Sequence, residues 1–259
     1  MGMVILKGLI AHKLRFALTA LSVALGVAFM AGALMVTDTV GQNLNALFSN
    51  ASSGVDAFVT GQPLYEGGSD GPVPRAVLKR VRRVDGVRAA EGDATGQALL
   101  LDAVGKPIGS PGLPRLGSSW LTDEDLNPYT LVAGDPPAGS GAVVIDRGSA
   151  DKLGLSPGSQ VEIEAAGRLE TFRVAGIATF GDLDSPMGAT VALFAPKQAR
   201  RLFGLSGDFA SVSVAAEDGV SQDELVRRIS AAVPPEARVL TGQAYIDRSQ
   251  QGIAETLDV

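Results

Sequence analysis

The 259 residues contain no cysteine. Disulfide frameworks and thiol chemistry are excluded, so a body outside a cell would have to be held by its core alone. Histidine is almost absent too. His12 is the only one, and it lies in the first fifteen residues. The rest of the chain therefore has no histidine for a Ser-His pair, a His-ligated metal or a proton relay. Neither G-x-x-x-x-G-K-[ST] nor G-x-G-x-x-G occurs, so neither a P-loop nor a dinucleotide fingerprint is present. Aromatics make up 5% of the chain. These absences argue against an enzyme: no catalytic, cofactor-binding or metal-ligating set is assigned, and no cofactor is expected.

Charge is missing from one stretch altogether. Phe16–Val36 (FALTALSVALGVAFMAGALMV) holds no Asp, Glu, Lys or Arg. As a helix it would be about 32 Å long at 1.5 Å per residue, against a bilayer core of about 30 Å. The run is longer than a signal peptide's apolar region of about 7–15 residues. It is expected to be a retained transmembrane helix. Gly26 and Gly32 would let neighbouring helices approach closely in lipid. Lys7, Lys13 and Arg15 give residues 1–37 a charge of +3, with no acid. Residues 38–259 carry 19 basic and 28 acidic side chains, giving −9. Positive flanks stay in the cytoplasm, so the N-terminus is expected inside and the body outside. An acidic body is a poor nucleic-acid binder.

The rest of the chain reads as an α+β protein. Residues 1–15 form a basic amphipathic segment at the inner surface, 16–36 the transmembrane helix, and 37–53 a helical stalk. Residues 54–108 form a first βαβ half, with a strand at Val55–Thr60, a helix at Arg75–Val84, and one or two strands over Val87–Ala103. Residues 109–205 form an inserted β-rich part, opened by the Pro/Gly-rich GSPGLPRLGSS. Its strands are expected at Tyr129–Ala133, Ala142–Ile145, Gln160–Glu164, Glu170–Phe180 and Thr190–Phe194. Residues 206–242 form a second βαβ half whose helix is capped by Ser221, with Glu224 completing a capping box. The two halves fit a split ferredoxin-like plait. Residues 243–259 begin a returning stalk.

Other features have bland readings. Arg75, Lys79, Arg80, Arg82 and Arg83 cluster on one helix and are read as a solvated face rather than an anion site. Lys197, Arg200 and Arg201 fall on a short helix. Asp182 and Asp184 share a Gly/Pro loop, but no acid follows at the twelfth position of a calcium loop. Asp123, Glu124 and Asp125 are read as a loop into Leu126. Trp120 is read as a core anchor.

The segment Lys7–Phe29 (KGLIAHKLRFALTALSVALGVAF) resembles the start of FtsX/MacB-type ABC transporter permeases. Val143–Ile163, Phe172–Phe194 and Val239–Gly242 (VLTG) are similar to the MacB-like extracytoplasmic core domain of that family. The resemblance lies in the order of elements rather than in one motif. It implies a permease subunit that couples a cytoplasmic ABC ATPase to an outside domain, for export, lipid or lipoprotein extraction, or envelope signalling. It also implies partners: the lipid membrane, other permease helices, and a second permease half in a dimer. The family's later transmembrane helices are not in these residues, so the chain is expected to be an N-terminal fragment. The alternative is a membrane-anchored extracytoplasmic binding or sensor module that acts without an ATPase.

Overall fold

The computed structural model describes residues 54–63, 70–110, 112–245 and 248, with helical positions at 22, 23, 25–27 and 30. The chain divides into two compact units, Met1–Ala46 and Leu47–Val259. In the first unit the described positions are helical and expose Val23, Leu25, Val27 and Met30. Among the described residues, no helix is long and apolar enough to cross a membrane. The expected span over 16–36 lies largely outside those residues. The basic segment 1–15, the stalk 37–53 and most of 243–259 lie outside them as well.

The second unit holds two sheets. The first has four strands: β1 (Ala57–Gly61), β3 (Val87–Asp93), β12 (Ser211–Ala216) and β13 (Ala237–Thr241). Their order is β13-β1-β12-β3, with every neighbouring pair antiparallel. Helix α1 (Arg75–Val81) joins β1 to β3, and α4 (Gln222–Ala232) joins β12 to β13. This is the split βαβ plait. Both helices cover the same face. Ala57 and Val59 of β1 and Val212 and Val214 of β12 are buried against Val77, Val81, Leu225 and Ile229. Strand side chains alternate faces, so the same strands turn Phe58, Thr60, Ser211 and Ser213 the other way. Ser221 caps α4, its side chain accepting from the Glu224 N–H at 3.3 Å. The Glu224 carboxylate does not reach back to complete a capping box; it binds Arg228 Nε at 2.6 Å and also pairs with Arg227.

The second sheet has seven strands. These are β4 (Gly96–Leu100), β5 (Arg115–Ser119), β6 (Tyr129–Gly134), β7 (Ala142–Asp146), β8 (Gln160–Ala165), β9 (Arg168–Phe180) and β10 (Thr190–Phe194). Their order is β6-β9-β7-β10-β5-β4-β8, and β8 pairs again with β9. The thirteen residues of β9 make this possible. Its first half pairs with β8, its second half with β6, and its other edge with β7. Six strands thus close into a barrel, which removes their free edges. Phe172, Phe194, Ile145, Ile163 and Leu100 fill the interior. Helices α2 (Arg147–Leu153) and α3 (Pro196–Leu202) follow β7 and β10. A two-stranded ladder, β2 (Val73–Pro74) with β11 (Asp208–Phe209), returns the chain to the plait.

Two strands differ from the sequence expectation. Arg115–Ser119, read as a Pro/Gly-rich connection, is a barrel strand paired with β10 and β4. Gly96–Leu100, placed with the first half, hydrogen-bonds within the barrel to β5 and β8. Distant partners decide both.

Asp146 ties three segments of the barrel together. Its fully buried carboxylate caps α2 by accepting from the Ser149 N–H at 2.9 Å. It also accepts from the Val191 N–H at 2.7 Å and from the Ser185 hydroxyl. Orphaning a buried donor costs about 1–3 kcal/mol. Asp146→Ala is expected to lower the unfolding free energy of the full chain in detergent, from denaturant midpoints read by Trp120 fluorescence, by that amount per donor. Val104→Ala, at an 86% exposed site, should change it by less than about 0.5 kcal/mol. Equal midpoints for the two variants would contradict this role for Asp146.

Candidate functional site

The plait's helix-free face meets the barrel through the segment after β5. Leu121 and Leu126 pack there on Val55 and Ala215, with Phe58 and Ala89 alongside. Two carboxylates of edge strand β3 hold this segment. Asp93 accepts from Ser118 Oγ at 2.9 Å, the Ser119 N–H at 3.0 Å and Thr95 Oγ1 at 2.7 Å. Two residues earlier on the same face, Glu91 accepts from the Thr122 N–H at 2.8 Å and the Asp123 N–H at 3.1 Å, and from the Thr122 hydroxyl. Arg88 adds a fork to Asp123, at 3.0 Å for each arm, and reaches Asp125 at 2.7 Å.

Close backbone approach completes the junction. Gly96 and Gly117 leave room for the Phe203 ring, and a Cβ on either would overlap it. Gly92 makes the same room for Phe209. The Arg200 guanidinium lies over Phe209, 5.3 Å from the ring centroid. Burial, followed by the nearby charge of Arg75, lowers the Arg200 pKa from its ordinary value.

The junction leaves a cavity of about 140 Å³ between the plait face and the β5–β6 segment. Phe58, Tyr129 and Tyr245 line it, with Asp93, Ser211 and Ser213. Phe58 and Tyr245 stack with centroids 4.1 Å apart. That stack joins the second residue of β1 to the helical turn 242–245 that follows β13. Ala57 lies directly opposite Thr241 in the ladder. The chain therefore enters and leaves the plait at adjacent strand ends.

The residues singled out in the sequence distribute as follows. Lys7, His12, Lys13, Arg15 and Gly32 lie outside the described residues. Gly26 is helical, with open space where a Cβ would be. Arg75, Lys79, Arg80 and Arg83 are exposed, and Arg82 donates from Nε to the Ala90 carbonyl at 2.8 Å. Arg201 pairs with Glu170 at 2.6 Å. Asp184 pairs with Arg147, and Asp182 is exposed. Trp120 is half-buried beside Val144, Ala178, Val191 and Leu193. Among the described residues no His, Asp and Glu side chains gather into a group of three that could hold a metal ion. Gly154–Gly158 (GLSPG) spells G-x-S-x-G, but it joins helix α2 to strand β8, the reverse of a nucleophile elbow. The Phe58–Tyr245 stack and the serine pair were missed in the sequence. Alternation in VDAFVT and FASVSVA was the available signal, since it sets Phe58 and Thr60, and Ser211 and Ser213, each on one face.

The hydrogen bond from Arg88 holds the Asp123 carboxyl below the usual carboxylate range, and the same bond raises the Arg88 guanidinium. For a lowered carboxylate the stabilisation is present above the unfolded pKa, about 4, and is lost as pH falls through the folded value. Arg88→Leu is expected to weaken this acid-side loss in pH-dependent unfolding. The effect should stay below about 1 kcal/mol, because the pair is partly exposed. An unchanged acid limb would rule the pair out as a contributor.

The MacB-like periplasmic core domain family model matches residues 16–232. The periplasmic region of MacB from Actinobacillus actinomycetemcomitans is similar in fold, with a TM-score of 0.52 at 11% identity, covering 76% of this chain and 94% of that one. The extracellular domain of YknZ, a noncanonic ABC-type transporter from Gram-positive bacteria, gives a TM-score of 0.50 at 16% identity, covering 71% of this chain and 100% of that one. Among curated proteins, none matches by sequence.

Proposed function

Because the chain belongs to the family of MacB-like periplasmic core domains, we propose that it is the extracytoplasmic part, with its first membrane helix, of an ABC transporter permease. Phe16–Val36 spans the membrane, Lys7, Lys13 and Arg15 stay inside, and the acidic body lies outside. A cytoplasmic ATPase, further permease helices and a second permease half are its partners. The body carries no reaction of its own; its task is to transmit motion to the cargo side.

One observation carries this reading. Ala57 at the start of β1 lies opposite Thr241 at the end of β13. A domain inserted between two membrane helices must receive and return its chain at one pole, and this plait does so. Mechanically, β1 is flanked by β13 and β12. A displacement of both ends in the same direction loads β1 and β13 together and carries the plait as a rigid body. A displacement of one end alone shears their ladder. The exposed apolar positions Val23, Leu25, Val27 and Met30 suit a helix covered by lipid, since lipid replaces water around apolar side chains.

Purification of the native gene product in mild detergent tests the proposal. An ABC ATPase is expected to co-purify, and Lys7→Glu/Lys13→Glu should reduce its recovery severalfold by removing the inner basic flank. If no ATPase is ever recovered while the protein stays in the membrane after alkaline extraction, the permease reading fails and an anchored sensor module replaces it.

A further inference from the structure

The cavity at the junction has a composition that structural packing alone does not require. We propose that it is a binding site for a small primary alkylammonium ion. Phe58, Tyr129 and Tyr245 supply aromatic rings, Asp93 supplies a negative charge, and Ser211 and Ser213 supply hydroxyl acceptors. Among the described residues, no Lys or Arg lines the cavity.

Each property selects against another class of ligand. Asp93 repels an anion. A purely apolar ligand would leave the serine hydroxyls unpaired, at a cost. Ser211 and Ser213 are 6% and 4% exposed, and both line the cavity. Thr60 lies directly opposite Ser211 on the same face, 1% exposed, and its hydroxyl has no partner. Of these hydroxyls, those of Ser211 and Ser213 line the cavity with the Asp93 carboxylate, and together they offer acceptors to the N–H donors of one ammonium group. Aromatic faces attract a cation through the ring quadrupole. The charges of Asp93 and Asp146 act on Tyr129 in the same sense: after burial, they are what holds its hydroxyl above the usual tyrosine range. Asp93 is the one charged side chain among the described residues that line the cavity.

Size limits the ligand. A dry protein cavity of about 150 Å³ accepts benzene, so about 140 Å³ suits a chain of roughly four carbons and one ammonium group. The site is independent of the permease reading, since it needs neither an ATPase nor a membrane helix. Tyr245, in the helical turn 242–245, is one wall of the cavity.

Titration of the full chain in detergent with n-butylammonium chloride tests the site. Trp120, the only tryptophan, adjoins the cavity-lining residues Ser119 and Leu121 and reports occupancy by fluorescence. Saturable quenching or enhancement is expected with n-butylammonium and none with n-butanol at equal concentration. Phe58→Leu should weaken the ammonium response about tenfold, from the lost cation–π contact, with the far-UV circular dichroism unchanged. Asp93→Asn should abolish it. Because Asp93 also holds the junction, Ser213→Val serves as a second polar variant and should weaken binding severalfold. An equal response to n-butanol, a response unchanged in Phe58→Leu and Ser213→Val, or no saturation, as for a cavity holding water only, would overturn the proposal.

Discussion

The arrangement of this body depends on one short strand edge. Asp93 ends β3 where the chain leaves the plait for the barrel, and its carboxylate accepts from Thr95, Ser118 and Ser119. Glu91, one alternation earlier, accepts from Thr122 and Asp123. A plait alone would leave its second face bare. These two carboxylates bring the segment after β5 across that face, and Leu121 and Leu126 then exclude water from it. Hydrogen bonds to charged groups are stronger than neutral ones, at about 1.5–3 kcal/mol each. The sheet edge that would otherwise be open at β3 is blunted by the same contacts, which is a common protection for edge strands.

The cavity follows from the same geometry. The covering segment and the plait face together line it: Ser118, Ser119, Leu121, Leu126 and Tyr129 on one side, Phe58, Ser211 and Ser213 on the other. Larger residues at 211 and 213 would close the space. The chain instead has FASVSVA, with Val212 and Val214 turned to the helices and the two serines turned to the barrel. Tyr245 lines the cavity as well and stacks on Phe58. The cavity thus lies where the junction and the chain's exit from the plait meet.

Local patterns made much of the plait and barrel legible in the sequence. The apolar spacing of Val77, Leu78 and Val81 marks a helix face, and these residues are buried. Thr190–Phe194 reads as a strand and is one, and the structure buries all five of its residues. What local pattern does not carry is pairing. RLGSS has weak strand propensity, with Gly117 and two serines, and it becomes a strand because β10 and β4 bond to its two edges. Gly117 is also where Phe203 needs space, so the residue that weakens the strand signal is the one the packing requires. Gly96–Leu100 joins the barrel through Ala165, Glu164 and Ile163, more than sixty positions away. The capping box was legible at Ser221 but not in full, because Arg227 and Arg228 compete for Glu224. The cavity required both halves of the chain to be placed before its wall could be seen.

The account rests on a body outside the membrane whose chain enters and leaves at one pole, with its N-terminal segment inside. The absence of cysteine makes the direct measurement clean. Single cysteines at Gly2 and at Val104, the latter 86% exposed, can be probed in intact cells with a membrane-impermeant maleimide. The account predicts labelling of Val104→Cys in intact cells and of Gly2→Cys only after the membrane is opened. Labelling of both sites from outside, or of neither before lysis, would contradict it.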